Sequence, residues 1–201
     1  MESVRHRRAM GVIHVKRRDG FADAIPSARA LVIVGSDKRG TIFGTYTLSE
    51  QLGVSPWYWW ADVPIPHQAN PIYALPATTI HGPPSIKYRG IFLNDESPAL
   101  NTWVQNTLGT ENGKFTTEFY KPLFELLLRM KANYLWPAMW PSFPPPGNSF
   151  YVDDPENQAV ADEYGIVMST SHHEPMQRAT NEWLVSGQGR WDWEENKENI
   201  G

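Results

Sequence analysis

"GIVMSTSHHEPMQRA" (Gly165–Ala179) decides how this chain is read. An apolar run, Ile166–Met168, passes within a few residues into His172, His173 and Glu174, and a proline follows. An apolar stretch too short for a helix and bounded by glycine and proline reads as a buried strand. Its polar end then has to lie where the strand meets solvent. Three hydrogen-bonding or titratable side chains at such a tip are expected of a functional rim.

Working outward, the same organisation recurs twice upstream. "YRGIFLNDE" (Tyr88–Glu96) is an apolar strand ending in Asn94, Asp95 and Glu96, and "ANYLWPAMW" (Ala132–Trp140) is one ending in tryptophan. Helical patterns lie between them. Glu118–Lys131 places Phe119, Leu123, Leu126, Leu127 and Met130 on one wide apolar face, with Pro122 expected in the first turn, where a missing N–H is tolerated. Asp153–Gly165 reads as one helix capped by Asp154, with Pro155 at its first position and Gly165 as its stop. Pro175–Val185 reads as another. Strands of buried type alternating with helices predict parallel βα units. In barrels of such units the chemistry sits at the C-terminal strand ends, where all three clusters fall.

The first part of the chain is different. Ala30–Val34, "ALVIV", is a continuous branched-aliphatic run stopped by Gly35 and reads as a strand buried on both faces. "GSDKRG" (Gly35–Gly40) is the turn after it, and Thr41–Leu52 a helix with Ile42, Tyr46 and Leu52 on one stripe and Gly53 as its stop. The glycine pair invites comparison with a phosphate-binding loop, but that motif needs Lys and then Ser or Thr after the second glycine, and here Thr41 and Ile42 follow. "GVSPWYWWADVPIP" (Gly53–Pro66) is aromatic and proline-rich and is expected to be ordered but irregular. Paired prolines in "HGPPSIKY" (His81–Tyr88) mark a boundary, dividing the chain into a small α/β domain over 1–82, with 1–28 atypical, and a second domain over 83–201.

The totals narrow the function. The chain has 201 residues, 41% of them hydrophobic, and a net charge of −4, which gives no general attraction for nucleic acid or an anionic membrane. The aliphatic run at 30–34 is too short to span a bilayer, and the basic N-terminal stretch lacks the apolar core of a secretion signal. Cysteine is absent, which removes disulfides and thiolate metal sites. Nine tryptophans are many for this length, and indole faces are favoured where an apolar plane meets water.

Asp95, Glu96 and Glu174 are carboxylates at one rim, suited to acid and base roles in glycosidic cleavage. Helix capping is the plainer role for Glu174, which precedes Pro175, and Asp95 likewise precedes a Ser-Pro turn. His172 and His173 are neighbours on a strand and point to opposite faces, so they do not grip one ion, and no helical HExxH pattern is present. No metal is expected. As hydrogen-bonding groups the histidines suit an anionic or polyhydroxylated ligand. Trp136 and Trp140 stand at the second strand's tip, as sugar platforms or, for Trp136 equally, as core.

The blocks "IVGSDKRGTIFGTYTLSEQLGVSPWYWWADVPI", "YRGIFLNDESPAL", "FELLLRMKANYLWPAMW" and "ADEYGIVMSTSHHEPMQRA" together resemble glycoside hydrolase family 115, the xylan α-1,2-glucuronidases. The resemblance implies an α/β fold: a small N-terminal α/β domain followed by the first units of a (β/α)8 TIM barrel. A whole barrel needs roughly 250 residues, so the barrel is expected to be incomplete and the chain a fragment, with open strand edges. It implies an inverting hydrolase that needs no cofactor or metal and frees glucuronic acid or its 4-O-methyl ether from xylan. Asp95 and Glu174 would be catalytic, with Asn94, Glu96, Trp136, Trp140, His172 and His173 binding substrate. The implied partner is glucuronoxylan or an aldouronic oligosaccharide, with neither nucleic acid nor membrane. A dimer and an extracellular or periplasmic location are further expectations from the family. A non-catalytic carbohydrate binder, or a relic, is the alternative.

Overall fold

In a computed structural model the chain is described over residues 11–17, 29–67, 69, 78–93, 98–137, 149–170, 178–187 and 189–200. It divides into two units, one formed by Met1–Lys87 with Leu128–Ala132, the other by Tyr88–Leu127 with Asn133–Gly201.

The first unit holds β1 (Gly11–Arg17), β2 (Arg29–Val34), α1 (Lys38–Gln51) and β3 (Thr78–His81). The strands form a sheet of order β2-β1-β3 in which both pairings are antiparallel, Val12 lying opposite Val34 on one side and Ile80 on the other. Two expectations are corrected. The aliphatic run is a strand, but one at an edge, and Leu31, Val32 and Val34 are 42%, 40% and 50% exposed. The central strand comes from a stretch in which the sequence showed little pattern. The reason is position: an edge strand has a strand neighbour on one side only, so aliphatic content does not by itself bring burial.

Helix α1 begins at Lys38, inside the expected turn. Asp37 caps it, its Oδ1 accepting from the Gly40 amide at 2.8 Å. The amide that would greet a phosphate is taken by the protein's own carboxylate. The helix ends as expected on Gly53, at φ 91°, with Gly53 N–H donating to Glu50 O and Val54 N–H to Ser49 O, a left-handed close that uses the orphan carbonyls. Phe43 is its most buried apolar side chain. Arg129, at the end of a later helix but within this unit, lies over the rings of Tyr46 and Tyr58 at 4.5 and 5.1 Å and donates from Nη1 to Ser49 Oγ at 3.0 Å. Lys131 Nζ donates to Phe43 O at 3.1 Å.

The second unit contains β4 (Gly90–Phe92), α2 (Leu100–Leu108), most of α3 (Thr117–Arg129), β5 (Tyr134–Trp136), α4 (Phe150–Asp153), α5 (Asn157–Tyr164), β6 (Val167–Met168), α6 (Thr180–Ser186) and α7 (Trp193–Ile200). Its sheet has the order β4-β5-β6 and is parallel throughout, Phe92 beside Trp136 and Leu135 beside Met168. The core is aromatic. Phe115, Phe119, Tyr120, Phe124 and Phe150 are nearly inaccessible, with ring centroids 4.8–5.6 Å apart along the chain of contacts from Phe115 to Phe150.

Several local expectations change. Pro122 lies in the second turn of α3 rather than the first. Met130 falls off the apolar face, at 53% exposed. The stretch 153–165 is not one helix: Asp154 ends α4, and α5 begins at Asn157. Asp154 is therefore not the N-cap of α5, which is Glu156, and Pro155 lies in the turn between the helices. Asp154 Oδ1 accepts from Glu156 N at 2.9 Å within that turn, while its Oδ2 accepts from Thr117 N at 3.0 Å and serves the first turn of α3. Gly165 ends α5 at φ 72°, as expected. Helix α6 starts at Thr180, later than the sequence suggested.

Candidate functional site

The C-terminal ends of β4, β5 and β6 define the candidate site. Asn133 ties the opposite ends together: Arg89 N donates to its Oδ1 at 2.9 Å, its own N–H to Arg89 O at 2.8 Å, and Val167 N–H to its backbone oxygen at 2.9 Å. Asn133 is 5% exposed, and its amide side chain supplies an acceptor that the strand ladder lacks there. Toward the C-terminal ends the ladder continues through Leu93 N–H to Trp136 O at 2.8 Å and Ser169 N–H to Leu135 O at 3.3 Å.

Alternation along the strands sorts the side chains into two faces. Leu135, wholly buried, is on one. Phe92, Tyr134, Trp136 and Ser169 are on the other. There Phe92 and Trp136 meet with centroids 4.9 Å apart, Tyr88 and Tyr134 lie at 6.5 Å, and Tyr134 Oη and Ser169 Oγ are 2.5 Å apart in a hydrogen bond. Trp136 is therefore half-buried in an aromatic row on the sheet, with its indole nitrogen shielded from solvent. Of the two roles open to it, packing against Phe92 is the one the geometry displays. Gly90 is required for this sheet: a Cβ there would sit 1.7 Å from Tyr134 O.

The remaining expected site residues, Asn94, Asp95, Glu96, Trp140, His172, His173 and Glu174, lie outside the described residues. The described chain reaches Leu93, Pro137 and Thr170 before them, each just beyond the C-terminal end of one of the three parallel strands. Tyr134 and Ser169 were not singled out from the sequence, although their alternation with Leu135 and Met168 carries the signal.

One carboxylate, at the end of α4, is perturbed. Asp153 accepts from Phe115 N at 2.9 Å and Ser149 N at 3.1 Å, yet burial pushes its pKa up to about 6. Its neighbour Asp154 is raised by desolvation, the largest single influence on it, but hydrogen bonds from Thr117 and from the Glu156 amide together outweigh that and hold it below the usual carboxylate range. Asn157, with no exposed surface, donates from Nδ2 to Phe115 O at 2.9 Å and Phe150 O at 2.8 Å. These groups are spent on backbone and read as structural. Among the described residues no three His, Asp or Glu side chains come together as a metal site, and no helix is long and apolar enough to cross a membrane.

A short parallel sheet with helices between its strands, with candidate site residues following each strand end in the sequence, fits α/β enzymes that work from strand tips. The family model for "Glycosyl hydrolase family 115" matches residues 81–201, more than half of the chain, which therefore belongs to that family. Among solved structures it is similar to a family GH115 4-O-methyl-alpha-glucuronidase with specificity for decorated arabinogalactans, at 35% identity and a TM-score of 0.76. The match covers 95% of this chain and 24% of that one, so the chain spans about a quarter of its relative's length. Nothing matches among curated proteins.

Proposed function

We propose that this chain supplies part of an α-glucuronidase that releases glucuronic acid, or its 4-O-methyl ether, from side chains of a plant polysaccharide. The observation that carries the reading is the sheet: three parallel strands in chain order, the first and third followed in sequence by polar clusters and the second by Trp140. In this reading 1–82 is a supporting α/β domain, and 83–201 contributes the first three or so units of a (β/α)8 barrel, incomplete in the 201 residues.

Asp95, after β4, and Glu174, after β6, are the acid and base pair of an inverting cleavage. One carboxyl protonates the leaving oxygen while the other takes a proton from the attacking water, and a gap of roughly 6.5–9.5 Å between them leaves that water its place. His172 and His173 hold the uronate carboxylate, Asn94 and Glu96 bind sugar hydroxyls, and Trp140 faces the sugar ring. Trp136 supports that tip from the aromatic row. The chemistry calls on no metal or cofactor. The location expected for such work is outside the cytoplasm.

For the main chain of the polysaccharide, family resemblance favours glucuronoxylan, while the relative's specificity for decorated arabinogalactans favours a galactan. The test joins this chain to the unmatched remainder of that relative and measures uronic acid release from both decorated glycans, with the anomer first formed read by NMR. Asp95→Asn and Glu174→Gln should each lower release by at least ~100-fold, the low end of general acid–base contributions. Near-normal turnover in Glu174→Gln would return that residue to helix capping, and a retained anomer would sink the inverting scheme.

A further inference from the structure

The junction between β5 and β6 is held unequally along its length. At its near end Val167 N–H donates to Asn133 O at 2.9 Å, but at the far end Ser169 N–H reaches Leu135 O only at 3.3 Å. Strand β6 is two residues long, so its ladder is almost spent where its tip begins. There a pair of side chains takes over. Tyr134 lies beside Val167 in register, which makes Ser169 its diagonal neighbour toward the tip. The Tyr134 side chain leans along the strand, and its Oη meets Ser169 Oγ at 2.5 Å. Ser169 Oγ in turn donates to Thr170 O at 3.4 Å. A serine hydroxyl has one hydrogen to give, so the phenol is the donor in the bridge.

Packing does not require these two hydroxyls. The Tyr134 ring is placed by β5 and by Tyr88, 6.5 Å away, and on its β4 side it lies beside Gly90, which offers no side chain. The bridge is on the face of the sheet that carries Phe92 and Trp136, not on that of buried Leu135. It stands at the C-terminal strand ends, the side from which enzymes built of βα units work. What it fixes is the peptide of Thr170, two residues before His172 in sequence. We propose that Tyr134 and Ser169 are positioning residues for hydrolysis: their hydroxyl bridge holds the exit of β6 against β5, and with it the point from which the chain continues toward His172, His173 and Glu174. Neither touches substrate in this scheme. The inference rests on the glucuronidase reading, and its test separates the two.

The test uses Tyr134→Phe, which keeps the ring and removes only the hydroxyl, with Ser169→Ala and the double variant. In this chain, hydrogen exchange at the Ser169 amide should quicken by about two- to ten-fold in each, the equivalent of one lost hydrogen bond, with exchange at the Val167 amide unchanged. In the protein joined to the remainder of the relative, each should lower kcat for uronate release by about ten- to a hundred-fold, as small misplacements do, with KM moved much less. The double variant should be no worse than either single one. Ser169→Thr, which keeps the hydroxyl, should recover most of the loss. A merely structural pair would lower the melting temperature and leave kcat alone, and that result overturns the proposal, as do additive losses. A joined parent that releases no uronate counts against the glucuronidase reading instead, and exchange then decides on the bridge: an unchanged Ser169 amide in Tyr134→Phe overturns it, and a faster one supports it.

Discussion

The two units solve the same problem, a three-stranded sheet, in opposite ways. In the first, the earliest strand in the chain is central and both neighbours run against it. In the second, the strands lie in chain order and run together, with helices in the connections. Their sequences mislead if hydrophobicity alone is read. "ALVIV" is the most aliphatic strand of the chain and sits half in water, whereas "YLW", with two polar-tipped aromatics, has a wholly buried leucine at its centre. What a strand buries depends on its neighbours, and the connection between strands predicts neighbours better than composition does.

That contrast is open to direct attack. The largest effect should come from Phe150→Ala, which empties a site touching Tyr120 at 4.8 Å in the aromatic core and should cost about 3–5 kcal/mol in chemical denaturation of the second unit. Val32→Ala on the exposed edge of the first unit should stay near 0.5 kcal/mol. Equal costs would erase the distinction drawn between the two sheets. Next, Gly90→Ala forces a methyl into the Tyr134 carbonyl and should cost about 2–3 kcal/mol, by parting β4 from β5. Hydrogen exchange at Asn133 and Leu93, whose amides bond across that pair, should rise with it.

The smallest effect is one of pH and belongs to the second unit alone. Asp153 has its folded pKa raised from 3.8 to about 6, so the carboxyl favours the fold when protonated, and that contribution is lost as pH rises through about 6. Acidification from pH 7 to pH 5 should therefore stabilise this unit by about 1 kcal/mol through this group. Asp154, held low, works the other way, and its contribution disappears only as pH falls below the ordinary carboxylate range. Asp153→Asn should abolish the gain. A first-unit probe that showed the same pH response would assign it elsewhere.

Much of the second unit was legible because its elements have long-range patterns with strong punctuation. The apolar face of α3, Gly165 after α5 and the three strands in sequence needed no knowledge of partners. What escaped depended on partners. Strand β1 pairs on both sides yet carries His14, Lys16 and Arg17, and only the register explains its central place. Helix α2 has Leu100, Val104 and Leu108 at helical spacing and Gly109 at φ 69° as its stop, a signal present in the sequence but outweighed by the polar residues among them. Asp153 and Asp154 look like a helix start because their real ligands, the Phe115 and Thr117 amides, are far away in sequence. For the candidate site, three strands and their direction were legible, and so was family 115. The roles of Asp95 and Glu174 came from resemblance and chemistry, since spacing along a chain does not fix the distance between two carboxyl groups.

The bonds from Asp153, Asp154 and Asn157 to Phe115 and Thr117 join residues 38, 37 and 42 positions apart. They set an order of assembly. The entry to α3 takes its final hydrogen bonds from a segment made after β5, so a chain growing from its N-terminus can form α3 as a helix but cannot seat its first turn until Asn157 has emerged. Closing a loop of that size precedes any return from the contacts it makes. The first βα unit therefore matures together with the second, and a ribosome paused between Trp136 and Asn157 would hold a helix whose leading amides still face water.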